Sequence, residues 1–292
     1  MTKIAIKSEA SGFFKIEATK PDGSTRVLAD WFPNLITNVG LDMFGTNENY
    51  LYGCSVGTGS TTPAFTDTGL SSSLATTHST SSNSSGTNSS PSYAWRRITW
   101  VFSIGAAAGN LSEVGILGYS GNAFSHALIL DGLGSPTTIT VLGDEILSVT
   151  YELRKYSPTS DVTGTVHLDG VDYAWVCRAS NVWSWGASPT ADTTSIYYVY
   201  WFSGSIGADI FSAPSGTNNR SDGVTDSYST GTYTRTGHSS IGISEGNYSG
   251  GIGAVTFQSN DSYQYQIGFT PKIPKDNTKN LSLSFAHSWS RH

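Results

Sequence analysis

Charge is scarce in this chain of 292 residues. Lys, Arg, Asp and Glu together make up 13%, about half the usual share of a globular domain. The net charge is −6 and no stretch is densely basic, so nucleic acid is not an expected partner. Cysteine is almost absent: only Cys54 and Cys177 occur, far apart, which excludes a disulfide scaffold built from closely spaced pairs. Long apolar runs are missing too. Ile196 to Phe202 is among the longest, far short of the roughly 20 residues that span a bilayer, and no membrane insertion is expected. The opening Met1-Thr-Lys-Ile lacks the apolar core of a signal peptide. That predicts synthesis in a reducing cytoplasm, with both thiols free and acting as small apolar side chains.

What is present is Ser, Thr, Gly and aromatics. The chain has 45 serines, 34 threonines and 32 glycines, and its aromatic content is 12%. Disordered chains show the reverse, many charges and few rings. Glu is uneven: Glu9, Glu17, Glu48, Glu113, Glu145 and Glu152 lie before residue 158, and only Glu245 after it. Glu favours helix and is depleted in strands, so the second part reads as almost pure β. With Ser157-Pro158-Thr159 at the change, the expected domains are 1–157 and 158–292.

Alternation supplies the strands. Leu147, Val149, Tyr151 and Leu153 alternate with polar residues, as do Leu281, Leu283, Phe285, His287 and Trp289. Tyr263, Tyr265, Ile267 and Phe269 form a third series, and Ile98, Trp100, Phe102 and Ile104 a fourth. A period of two gives each sheet one dry and one wet face. Pro21-Asp22-Gly23, Asp131-Gly132, Asp169-Gly170 and Asp222-Gly223 punctuate them as turns, and the Asp131–Gly134 stretch predicts a hairpin joining 124–130 to 137–142. One segment reads as helix: Leu35, Ile36, Val39 and Met43 recur about a turn apart behind Pro33, with Asn34 as N-cap. The expected fold is therefore all-β, antiparallel sandwich-type domains with one short helix near residues 34–44. Residues 71–92, nearly all Ser, Thr, Asn and Gly, predict an exposed loop or arm without regular structure. Ala213 to Ser229 reads as a second loose region.

The patterns for chemistry are weak. Gly242-Ile-Ser-Glu-Gly246 matches a hydrolase elbow, but the Asn-Tyr-Ser-Gly-Gly that follows cannot form the helix that motif needs. The six histidines show no zinc-site spacing. His287, on the apolar phase of its strand, reads as semi-buried and hydrogen-bonded. Glu152 lies on the polar phase among Thr150 and Arg154, which suits a cross-strand ion pair better than catalysis. No catalytic residue, cofactor or metal is expected. The aromatics stand out instead. Trp183-Ser-Trp185 lies near a loop, and Ile196–Phe202 carries rings on both faces. Trp183, Trp185, Tyr197 and Trp201 are the candidate interface or glycan-contact residues, since Tyr and Trp concentrate at binding hot spots; burial in a core is the competing reading for Tyr197 and Trp201.

Thr99-Trp-Val-Phe-Ser-Ile-Gly-Ala-Ala-Ala-Gly-Asn-Leu-Ser-Glu-Val-Gly-Ile116 resembles a segment of tailed-bacteriophage virion proteins, the tail-fibre and other tail-associated structural proteins. So does Pro136 to Tyr156, and more weakly Trp31 to Asp42 with Val56-Gly-Thr-Gly-Ser60. The chain departs from the family pattern at His126, where Arg is frequent. The resemblance covers roughly residues 30–180. It implies an all-β virion component of tail, baseplate, neck or collar, or fibre base, assembled in the host cytoplasm. Such a protein is non-enzymatic and packs against copies of itself and other phage structural proteins. The alternative is an adhesin binding host-surface glycan through the C-terminal half, where family likeness ends and variable ends often carry recognition. A depolymerase is a third class, but the internal repeat common in such enzymes is missing.

Overall fold

The computed structural model describes residues 3–46, 48–180, 196–221, 223–259 and 264–292. The chain is mostly β with a single short helix, and it divides into two compact units. The N-terminal unit holds Glu9–Lys155 with Ser290–His292; the C-terminal unit holds Met1–Ser8 with Tyr156–Trp289. The change at residue 155 falls close to the compositional break, but the two chain ends do not follow the halves of the sequence.

The N-terminal unit contains β1 (Ile4–Thr19, whose first residues belong to the other unit), β2 (Thr25–Pro33), β3 (Leu35–Ile36), α1 (Asn38–Thr46), β4 (Gly53–Gly57), β5 (Ser73–Thr77) and β6 (Thr80–Ser89). It continues with β7 (Ser92–Phe102), β8 (Gly109–Leu111), β9 (Glu113–Leu117), β10 (Ala123–Leu128), β11 (Ile139–Val141) and β12 (Ile146–Tyr156). One sheet runs β2-β1-β12-β7-β6 and a second β3-β10-β9-β4-β5, with β11 and β8 as a separate pair. The expected phases hold: Leu147, Val149, Tyr151 and Leu153 are buried, and so are Ile98, Trp100 and Phe102. Tyr151 of the first sheet meets Phe14 at 4.8 Å between ring centroids and Phe124 of the second sheet at 6.4 Å, so the two sheets share one core.

Several expectations change here. The helix begins at Asn38, not at 34. Leu35 and Ile36 are taken up as a strand against β10. Asn34 donates to the Tyr151 hydroxyl at 3.0 Å instead of capping. Thr37 is the cap, its Oγ1 accepting the Gly40 N–H at 2.8 Å and donating to the Ala123 carbonyl at 2.6 Å. Gly40 is required there, because a Cβ would run into the Phe124 carbonyl. Residues 71–92 are not a loop: they supply β5, β6 and the start of β7. Ile104 is 65% exposed, beyond the end of β7. The Asp131 turn forms, with Gly134 N–H on the Asp131 carbonyl, but 139–141 leave β10 to pair with β8.

The C-terminal unit contains β13 (Val162–Leu168), β14 (Val171–Ser180), β15 (Ile196–Phe202), β16 (Asn218–Ser221) and β17 (Gly223–Tyr228). It ends with β18 (Thr234–Ile241), β19 (Ile252–Ser259), β20 (Gln264–Ile273) and β21 (Leu281–Arg291). Its six-stranded sheet runs β13-β14-β20-β19-β15-β16; β17, β18 and β21 follow one another beside the first residues of β1. Asp169 and Gly170 take φ of 49° and 81°, the two left-handed residues that a tight hairpin between β13 and β14 needs. Trp175, Trp201, Phe257, Tyr265 and Phe285 fill one core. His287 is buried, its Nε2 3.0 Å from Ser8 Oγ. The loose reading of 213–229 is also corrected, since β16 and β17 lie within it.

Candidate functional site

The outer face of the β2-β1-β12-β7-β6 sheet is built by the alternation of β7. With Ile98, Trp100 and Phe102 inward, Tyr93, Trp95, Arg97 and Thr99 point the other way. Glu152 and Arg154 of β12 lie alongside, next to Phe13 on β1 and Trp31 on β2. Glu152 is the hub. Its Oε2 accepts from Arg97 Nε at 2.9 Å and from Arg97 Nη2, and its Oε1 accepts from Arg154 Nε at 2.7 Å. One deeply placed carboxylate thus satisfies two guanidinium groups, the condition under which burying a charge is tolerable. The expected cross-strand ion pair of Glu152 is therefore present, with Arg97.

Each guanidinium is also stacked. Arg97 Cζ lies 5.1 Å from the centroids of both Trp31 and Trp95. Arg154 Cζ lies 4.2 Å from Phe13 and 4.9 Å from Tyr93. Such contacts contribute about 0.5–1 kcal/mol each when exposed. Their larger effect is to hold long side chains in one geometry. Trp95 in turn rests on Gly86 of β6, where any Cβ would come within 2.8 Å of the indole. The result is a rigid aromatic and cationic surface that still meets solvent: Trp31 is 41% exposed, and the Arg97 side chain 42%.

Trp183 and Trp185 fall outside the described residues. Tyr197 belongs to β15, but its side chain lies outside them as well. Trp201 is corrected: it is 0% exposed, in the core with Val199 and Phe257. Its strand sits between β19 and β16, Trp201 pairing with Val255 and Asn219, so its inward face is closed to a ligand. Tyr198 and Tyr200 occupy the other face, half-buried, with Arg220 5.0 Å over Tyr198. The sequence does not announce the Trp31–Arg97–Glu152–Arg154 face, because its residues come from three strands far apart in the chain. Its signal was Tyr93-x-Trp95-x-Arg97 on a single strand phase.

A second cluster surrounds His126, which is buried on β10. Its Nδ1 lies 2.7 Å from Asp67 Oδ2 and its Nε2 3.0 Å from Glu113 Oε2. Glu113 also accepts the N–H groups of Gly59 (3.0 Å), Ser71 (3.0 Å) and Ser72 (2.6 Å) and the Ser71 hydroxyl (2.8 Å). Burial pushes the Glu113 carboxyl up, but the bonds from Ser72, Ser71 and His126 outweigh it and hold it below the ordinary carboxylate range. For Asp67, burial is likewise outweighed, by the Ala64 N–H and His126. The acid is thus saturated with donors and clasps the 58–72 loop. Among the described residues no group of three His, Cys, Asp or Glu is arranged to hold a metal ion. Burial pushes both the Cys54 and the Cys177 thiols up, the setting of inert cysteines. Gly242–Gly246 forms a turn after β18 with no helix following.

Fold and site together define an all-β antiparallel protein whose most developed surface is a stacked aromatic and arginine face on one sheet. Comparison with protein-family models, curated proteins and solved structures finds no match to this chain.

Proposed function

We propose that this chain is a non-enzymatic structural component of a tailed-phage virion, in its tail, baseplate, neck or collar or at a fibre base, and that it works by packing against other subunits. The phage assignment rests on the resemblance of residues 99–116 and 136–156. The observation that carries the packing role is the Trp31–Arg97–Trp95 stack with its Phe13–Arg154–Tyr93 neighbour. Trp, Tyr and Arg are the residues that dominate protein–protein hot spots. A rigid presentation lowers the ordering cost of association. A glycan platform would need open ring faces. Here Gly86 and Arg97 both press on Trp95, so a protein partner suits the face better.

The test is to complement a phage lacking this gene with Trp31→Ala, then measure virion incorporation and host adsorption separately. Trp31 lies at the solvent edge, so the subunit folds. Loss of a hot-spot ring costs about 2 kcal/mol or more, and incorporation is expected to fall. Normal incorporation with lost adsorption supports the adhesin instead. Normal behaviour in both assays removes the face from either role.

A further inference from the structure

β6 ends its sheet, and nothing in its composition guards that position. Proteins keep edge strands from pairing with other chains by making them short, or by placing charges, proline or bulges on them. β6 runs for 10 residues, Thr80–Ser89, against about 5–6 in a mean strand. It contains no Lys, Arg, Asp, Glu or Pro. The uncharged stretch is wider still, since between Asp67 and Arg96 only His78 can carry charge. The one irregularity in its pairing with β7, between Thr80 and Ser82, lies at the far end. Ser82–Ser89 keep continuous register.

The hairpin fixes which backbone groups face outward. Ser89 and Ser92 pair across the two-residue loop Ser90-Pro91. That closing pair exchanges both hydrogen bonds with itself, because the alternative pattern would need a bond from the Ser90 N–H to the C=O of its own neighbour Pro91. The ladder then alternates, so Asn88, Gly86, Ser84 and Ser82 direct their N–H and C=O groups away from β7. Among the described residues no strand pairs with that side.

We propose that β6 is a self-pairing edge: a second copy of this chain adds its own β6 antiparallel to the first and continues the sheet across a twofold axis. The charge pattern selects the occupant. A strand without charge meets its identical copy with no like-charge opposition in any register, and Ser and Thr side chains hydrogen-bond across such pairs. The shared ladder would be about 33 Å long, and an isologous twofold contact is self-complementary by construction. The contact uses none of the residues of the Trp31–Arg97 stack, so it stands or falls apart from the virion assignment.

The test uses the full chain in solution. Ser84 and Thr87 are both exposed. One variant carries Ser84→Lys with Thr87→Lys, a second Ser84→Glu with Thr87→Glu, and melting curves establish that each is folded; if a double variant does not fold, the Thr87→Lys and Thr87→Glu single variants replace it. Sedimentation of the wild type is expected to show reversible self-association. Each variant alone should associate about tenfold or more weakly, from like charges facing one another, and an equimolar mixture of the Lys and Glu variants should recover it. A wild type that stays monomeric overturns the proposal. So does a Lys variant that associates like the wild type, or a mixture that does not recover. Association abolished by Trp31→Ala but indifferent to the β6 charges would place the contact on the aromatic face and overturn it as well.

Discussion

Val149 shows what a single residue carries in this fold. It is 0% exposed, on the inward phase of β12 with Leu147, Tyr151 and Leu153. Val149→Asp places a carboxylate among apolar neighbours with no partner, at a cost of several kcal/mol, comparable with the whole net stability of a domain. The expected result is failure to fold, read as loss of the cooperative denaturant transition. Val149→Ile should keep that transition, with a loss below about 3 kcal/mol from overpacking. A folded, soluble Val149→Asp protein would mean the strand phase is wrong. That phase was legible because a period of two is a local property. So was the ion pairing of Glu152, since an acid on the polar phase of a strand beside arginines has few other uses. The partners were another matter. Arg97 meets Trp31 and Glu152 across three strands, and no local pattern reports which distant residues share a sheet face. Trp201 illustrates the converse: rings on both phases of a strand say that both faces are apolar, not which one is closed.

Elements were legible where side chains decide them and illegible where the backbone does. The helix was found, but its start moved by four residues, because strand pairing of Leu35 and Ile36 with β10 outweighs the N-cap preference of Asn34. β6 was read as loop on composition. Its Ser, Thr and Asn side chains build no core, yet an edge strand needs none of its own. β7 supplies the buried face, and β6 adds only a ladder and small side chains, such as Ser82 Oγ donating to Thr99 Oγ1 at 2.9 Å. Gly86 has a specific place in that arrangement, under the Trp95 ring. Gly86→Val puts a Cβ where 2.8 Å separates it from the indole, closer than real contacts allow, so Trp95 must lift and Arg97 loses one of its two stacks. The expected outcome is a loss of about 1–3 kcal/mol of stability from overpacking, read as a lower melting temperature, with a shift in tryptophan emission. Gly86→Ala should show the same change in smaller degree. Unchanged emission and melting would show that Trp95 is not held by β6.

At the scale of the whole molecule, the glutamates thin out after residue 157 and the compact units change at residue 155, but the placement of the chain ends has no counterpart in composition. Met1–Ser8 joins the C-terminal unit and Ser290–His292 the N-terminal one, and such pairings between the two ends of a sequence leave no periodic trace. Acid sensitivity is the property that gathers residues from both units. Asp67 and Glu113 clasp the 58–72 loop, Glu145 is bound by Arg26 at 2.7 Å, and Asp161 is bound by Arg178 at 2.5 Å. Their carboxyls are all held below the ordinary range; the Arg26 guanidinium, helped by the Leu142 N–H, takes Glu145 from 4.5 down to about 2. A depressed folded-state value means the folded chain binds protons less readily than the unfolded one. The stabilisation is therefore complete above the ordinary value of 4.5 and is lost as pH falls toward about 2. Melting temperature should be flat near neutrality and fall steeply below pH 4.5. Glu145→Gln, which removes the carboxylate but keeps the shape, should melt lower than wild type at neutral pH, and the gap should close as both are acidified, because the wild type loses the same charge by protonation. A gap that stays constant down to pH 2 would mean that the Arg26 pair contributes shape alone, and the acid transition would then have to come from Asp67, Glu113 and Asp161.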